Sequence, residues 1–121
     1  MPDAAAQTSP YPFKRINGIA DIADKYDGFI FDIYGVIHNG IELFPGTYDC
    51  LYNLMDQGKR ICLLSNTPKL EPAIREELKI LGLPETLYHG VVTAGDSARH
   101  AVEDFRGKPC WFSGHPAYLP I

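Results

Sequence analysis

With 121 residues, of which 45% are hydrophobic and 21% charged, the chain has the composition of one ordinary globular domain, long enough to bury a core. A formal charge of -4 and a pI near 5.4, with no basic stripe, exclude a nucleic-acid-binding surface as the expected function. No apolar run reaches the roughly 20 residues that span a bilayer, and no basic start followed by an apolar block marks a signal peptide, so a cytoplasmic protein with no membrane partner is expected.

Residues 1–12 (MPDAAAQTSPYP) are rich in Ala, Pro, Ser and Gln and read as a flexible arm. Ile19, Ile22, Ala23 and Tyr26 recur at helical spacing and predict a short helix. After Gly28, the run Phe29-Ile30-Phe31-Asp32-Ile33 predicts a strand buried on both faces, as in parallel sheets. Asn39, Gly40, Pro45 and Gly46 mark the following stretch as loop or hairpin. Tyr48, Leu51, Leu54 and Met55 form the stripe of an amphipathic helix that Gly58 ends. Arg60 to Ser65 is a second buried strand. Ile74, Leu78 and Leu81 mark the next helix, with Pro72 near its start and Gly82 past its end.

Val91 and Val92 lie in a third strand. Thr93 and Asp96 have the spacing of a cap for a helix running through Phe105 and packing through Ala98, Ala101 and Phe105. Lys108 to Ser113 predicts a fourth strand. The resulting order, β-α-β-α-β-α-β, implies an α/β fold with a parallel sheet and right-handed crossovers. Cys50, Cys62 and Cys110 form no CxxC pair and read as buried free thiols.

Ligands of such sheets bind at the carboxyl ends of the strands, which singles out Asp32 and Ser65. A carboxylate following three large apolar residues is costly unless it is solvated, paired or metal-bound. It can equally cap a turn by accepting backbone N–H bonds, so Asp32 alone leaves both readings open. His38, His89, His100 and His115 show no metal-binding spacing. No glycine pattern matches a dinucleotide or phosphate loop. Trp111, Phe112, Tyr11 and Phe13 read as packing or interface residues, Tyr88 as core, and His38 as a solvated loop residue.

The string Phe31-Asp32-Ile33-Tyr34-Gly35-Val36-Ile37 followed by Leu63-Leu64-Ser65-Asn66 resembles the first two motifs of the haloacid dehalogenase (HAD) superfamily. The longer run through His38-Asn39-Gly40 and Phe44-Pro45-Gly46 is similar to its class IIA hydrolases, in particular an uncharacterised subfamily with an aromatic residue two places after the nucleophile. Val91-Val92-Thr93-Ala94-Gly95-Asp96 fits the same subfamily.

The resemblance, over residues 26 to 121, implies a partial HAD-like Rossmannoid three-layer sandwich. It implies a phosphatase in which Asp32 carries an aspartyl-phosphate intermediate and Ser65 binds the transferring phosphoryl oxygens. Asn66 would shape the same loop, Lys69 would contact substrate phosphate, and the Gly35 turn would let the backbone swing away after the nucleophile. Mg²⁺ would be held by Asp32 and the Tyr34 backbone carbonyl, and the partner would be a small phosphorylated metabolite.

Two departures bear on activity. The position that in most such phosphatases holds a general acid/base Asp is Tyr34, and a phenol with an ordinary pKa of about 10 is a poor base; the loss is about 10²–10⁴ in rate. The third motif, a Lys, and the fourth, an acidic pair, are both missing. By resemblance, residues 13–107 are the amino-terminal part of a HAD core domain, and 108–121 are the start of a truncated cap domain. An inactive or crippled chain is therefore expected, and an incomplete sheet edge that favours a homo-oligomer. A non-catalytic binding or assembly module on the same fold is the competing reading. A 2-haloacid dehalogenase is disfavoured, because only one loop and one helix separate Asp32 from Ser65, leaving no room for that enzyme's helical cap.

Overall fold

The computed structural model describes residues 13–115; the arm expected at 1–12 lies outside them. Three strands, β1 (Gly28–Asp32), β2 (Arg60–Ser65) and β3 (Gly90–Thr93), alternate with helices α1 (Thr47–Asp56), α2 (Glu71–Ile80) and α3 (Ala94–Val102). The strands form one parallel sheet in the order β1-β2-β3. The fold is α/β, a partial Rossmannoid arrangement, as the alternation predicts.

Both crossing helices end as their glycines dictate. Past α1, the amide of Gly58 donates to Met55 O and that of Lys59 to Leu54 O; past α2, Gly82 donates to Lys79 O and Leu83 to Leu78 O. These paired bonds satisfy last-turn carbonyls and turn the chain into the next strand.

Consecutive strand order with right-handed crossovers sends α1 and α2 over the same face of the sheet. That face holds the core: Ile61, Leu63 and Val91 pack with Leu51 and Leu54 of α1 and Ile74 and Leu78 of α2. Leu83, Leu87 and Tyr88 close the bottom of the cluster, so Tyr88 is core as expected. The other face is open. Ile30 is 71% exposed, Leu64 47% and Val92 44%, which corrects the expectation of strands buried on both faces: an apolar run cannot report whether a second helical layer exists.

Other expectations also change. The segment before β1 forms two separate 3₁₀ turns, Ile19–Asp21 and Ala23–Lys25, of which only Ala23 is buried. In α1 the inward residues are Thr47, Leu51 and Leu54, whereas Tyr48 is exposed. Thr93 caps α3 as expected, its Oγ1 accepting from the Asp96 amide at 3.0 Å. Yet Ala98, Ala101 and Phe105 are exposed and only Gly95 of α3 is buried. Residues 108–113 form no strand; they run irregularly and exposed. The three thiols are free, Cys50 and Cys62 half-buried and Cys110 exposed.

Candidate active site

Asp32 is the last residue of β1 and is exposed to solvent, so its charge is hydrated rather than stranded in the core. One carboxylate oxygen accepts the next amide, that of Ile33, at 2.8 Å. Ile33 turns back into the core, and Gly35 carries the chain round the corner at φ 86°, a torsion that side chains disfavour.

The loop beyond is stitched to itself. Ile37 donates to Ile33 O at 2.8 Å, Gly35 to His38 O at 2.8 Å, and Phe44 to Ile37 O at 3.0 Å. The Asn39 side chain accepts from Ile41 and Glu42. His38, expected to be solvated, is buried; its Nδ1 accepts the Gly40 amide at 2.9 Å, fixing the ring within the turn.

Ser65 ends β2, and its Oγ accepts the Thr67 amide at 3.2 Å. The strand-to-helix loop it opens is held by the start of α3. Gly95 donates to Thr67 O, and Glu71 at the head of α2 donates to the Asp96 carboxylate at 2.8 Å, which also accepts from Thr93 Oγ1. Gly95 is required by this approach: a Cβ there would lie 2.3 Å from Pro68 O and 2.6 Å from Lys69 O.

The register sets Asp32 beside Leu64 and Ser65 beside Thr93. The three strand ends therefore open into one cleft of about 490 Å³, lined by Asp32, Leu64, Ser65, Asn66, Val92, Thr93, Ala94 and Ser97. It holds one carboxylate, hydroxyls, an exposed carboxamide and the first turn of α3.

Asp32, Ser65 and Asn66 are brought together. Tyr34 and Lys69 are not with them: both line a second cleft of about 420 Å³, with His38, Gly40, Glu77, Ile80 and Leu81. There the Tyr34 ring lies edge-on to His38, with centroids 6.0 Å apart, and Lys69 pairs with Glu77. Gly35 lines neither of these clefts. Thr93, Ala94 and Ser97 enter the first cleft unannounced by motif spacing; the cap pair Thr93 and Asp96, one strand over from Ser65, was the available signal.

Among the described residues, no group of three or more His, Cys, Asp or Glu gathers as a metal site. The Asp32 carboxylate and the Tyr34 main-chain carbonyl are oxygen donors of the type Mg²⁺ takes, with waters and phosphate usually completing the shell. The donors fit in kind and fall short in number.

The family profile for haloacid dehalogenase-like hydrolases matches residues 29–119. No curated protein matches the chain. A hydrolase of the haloacid dehalogenase-like family from Brucella suis 1330 is similar in structure, at 36% identity and TM-score 0.65, over 69% of this chain and 32% of its own. A hypothetical protein from Pyrococcus horikoshii OT3 aligns at 25% identity and TM-score 0.53, over 64% of this chain and 30% of its own. The chain thus spans about a third of the length of each solved relative.

Proposed function

Because the chain belongs to the haloacid dehalogenase-like hydrolases, we propose that it forms the phosphoryl-accepting part of a phosphomonoester hydrolase that acts on a small phosphorylated metabolite. The supporting observation is that Asp32, Ser65 and Asn66 share one cleft at the carboxyl edge of a parallel sheet, where such folds bind ligands.

In this reading the Asp32 carboxylate attacks phosphorus, the bond from phosphorus to the ester oxygen breaks, and the leaving alkoxide takes a proton from water. Ser65 Oγ and the Asn66 carboxamide donate to the phosphoryl oxygens and orient them for in-line attack. Mg²⁺ held by Asp32 and the Tyr34 carbonyl would offset the charge that accumulates between carboxylate and phosphate. Water then attacks the acyl phosphate, regenerating Asp32 and releasing phosphate.

The second step is where these residues fall short. The first cleft holds no second carboxylate, imidazole or cation among the described residues, and the Tyr34 phenol faces the other cleft. The 121-residue chain by itself is therefore expected to hydrolyse an aryl phosphate in Mg²⁺ only at the background rate. A version continued past Ile121 along its reading frame should show turnover that Asp32→Asn removes by at least about 10³-fold, the loss expected of a covalent nucleophile. Turnover in the continued protein that survives Asp32→Asn would reject the proposal.

The same shortfall favours one other reading, a non-catalytic module on this fold. Background rates in both the short and the continued protein would support it.

A further inference from the structure

We infer that the second cleft, between the loop after β1 and helix α2, holds the organic leaving group of the phosphoester, and that this group is an uncharged aromatic ring stacked on Tyr34, a placement that rests on Asp32 being the phosphoryl acceptor. The chain leaving β1 and the chain leaving β2 each contribute to both clefts. Tyr34 follows Asp32 by two residues and Lys69 follows Asn66 by three, so segments no longer than about 7 Å and 11 Å join one cleft to the other. A phosphoryl group at Asp32 can therefore carry its ester substituent into the second cleft.

The chemistry of the lining selects the substituent. Tyr34 offers an aromatic face, and Ile80 and Leu81 at the end of α2 offer an apolar wall. Lys69 and Glu77 pair with each other, so the cleft presents no unmatched charge to a second anionic group. His38 supplies one directed polar group. Its Nδ1 accepts the Gly40 amide at 2.9 Å, which places the ring proton on Nε2, and Nε2 makes no hydrogen bond among the described residues. A single N–H donor beside apolar and aromatic surface suits a ring with one acceptor on its rim.

The Tyr34 ring is held by the turn it belongs to. It stands at 86° to the imidazole of His38, with centroids 6.0 Å apart, and a Cβ at Gly40 would come within 3.3 Å of its Cε2. Gly40, at φ 93°, lets the turn close against the ring edge. A flat group stacked on Tyr34 then stands square to His38, in the edge-on arrangement that aromatic pairs favour. Tyr34, a poor base, thus serves as a recognition surface through its ring rather than its hydroxyl.

Two probes test this in the ¹⁵N-labelled chain with Mg²⁺: benzylphosphonate, in which a methylene replaces the ester oxygen of phenyl phosphate, and ethylphosphonate, which lacks the ring. Both should shift the amides of Ser65, Asn66 and Ala94. Benzylphosphonate alone should also shift Gly40, Lys69 and Leu81, and should bind about tenfold more tightly. Tyr34→Phe should keep that preference, whereas Tyr34→Ala and, at an exposed position, Ile80→Glu should each remove it. Equal affinity for the two probes, with shifts confined to the first cleft, would overturn the inference and leave the role of Asp32 standing. No first-cleft shift from either probe would overturn both. A preference for benzylphosphonate that survives Tyr34→Ala and Ile80→Glu would also overturn the inference.

Discussion

Gly95 and Asp96 together hold the strand-to-helix loop that carries Asn66 into the first cleft. A methyl group at Gly95 must push the Pro68 carbonyl away, so Gly95→Ala should cost about 1–3 kcal/mol in urea unfolding. Asp96→Ala removes the acceptor for the Glu71 amide and for Thr93 Oγ1 and should cost about 1–2 kcal/mol by the same measurement. Tyr88 points the other way. Its hydroxyl is buried without a hydrogen-bond partner, while the Arg75 guanidinium sits over its ring at 5.3 Å. Burial pushes the phenol above its ordinary value of 10.0, so the unfolded chain loses this proton first as pH rises. The stability it contributes is whole below about pH 10 and declines above it. Tyr88→Phe should be neutral or stabilising at pH 7 and should flatten the alkaline limb of a stability–pH curve. Of the candidate residues, the shared placement of Asp32, Ser65 and Asn66 at one cleft was legible because each sits at or just past a strand end. The placement of Tyr34 and Lys69 was not: which cleft a loop side chain enters depends on His38 and Glu77, contacts that no local pattern encodes.

At the scale of elements, the strands and the two crossing helices were readable because apolar periodicity and terminal glycines agreed. The α2 stripe shows the consequence of that agreement. Leu78 is fully buried and packs in the core between the sheet and its two covering helices, so Leu78→Ala should cost about 2–5 kcal/mol in urea unfolding. The misread elements are those with nothing to pack on. α3 has a well-formed cap yet exposes Ala98, Ala101 and Phe105, and the stretch at 108–113 pairs with none of the three strands; Trp111 is 94% exposed. Periodicity reports which face of an element is apolar, and only the fold reports whether anything covers it.

For the whole molecule the governing feature is asymmetry. One face of the sheet is covered by α1 and α2, and the other presents Ile30, Leu64 and Val92 to solvent. Asp32 opens onto that uncovered side of the sheet, and the aligned part of the chain covers about a third of each solved relative. No described helix is long and apolar enough to cross a membrane. Whether Asp32 is a phosphoryl acceptor is tested most directly by beryllofluoride with Mg²⁺, a phosphoryl analogue that bonds a carboxylate oxygen. Titrated into the ¹⁵N-labelled chain, it should shift the amides of Ile33, Ser65, Asn66 and Ala94, and Asp32→Asn should abolish those shifts. An unchanged spectrum, or shifts centred on Tyr34 and Lys69 instead, would contradict it.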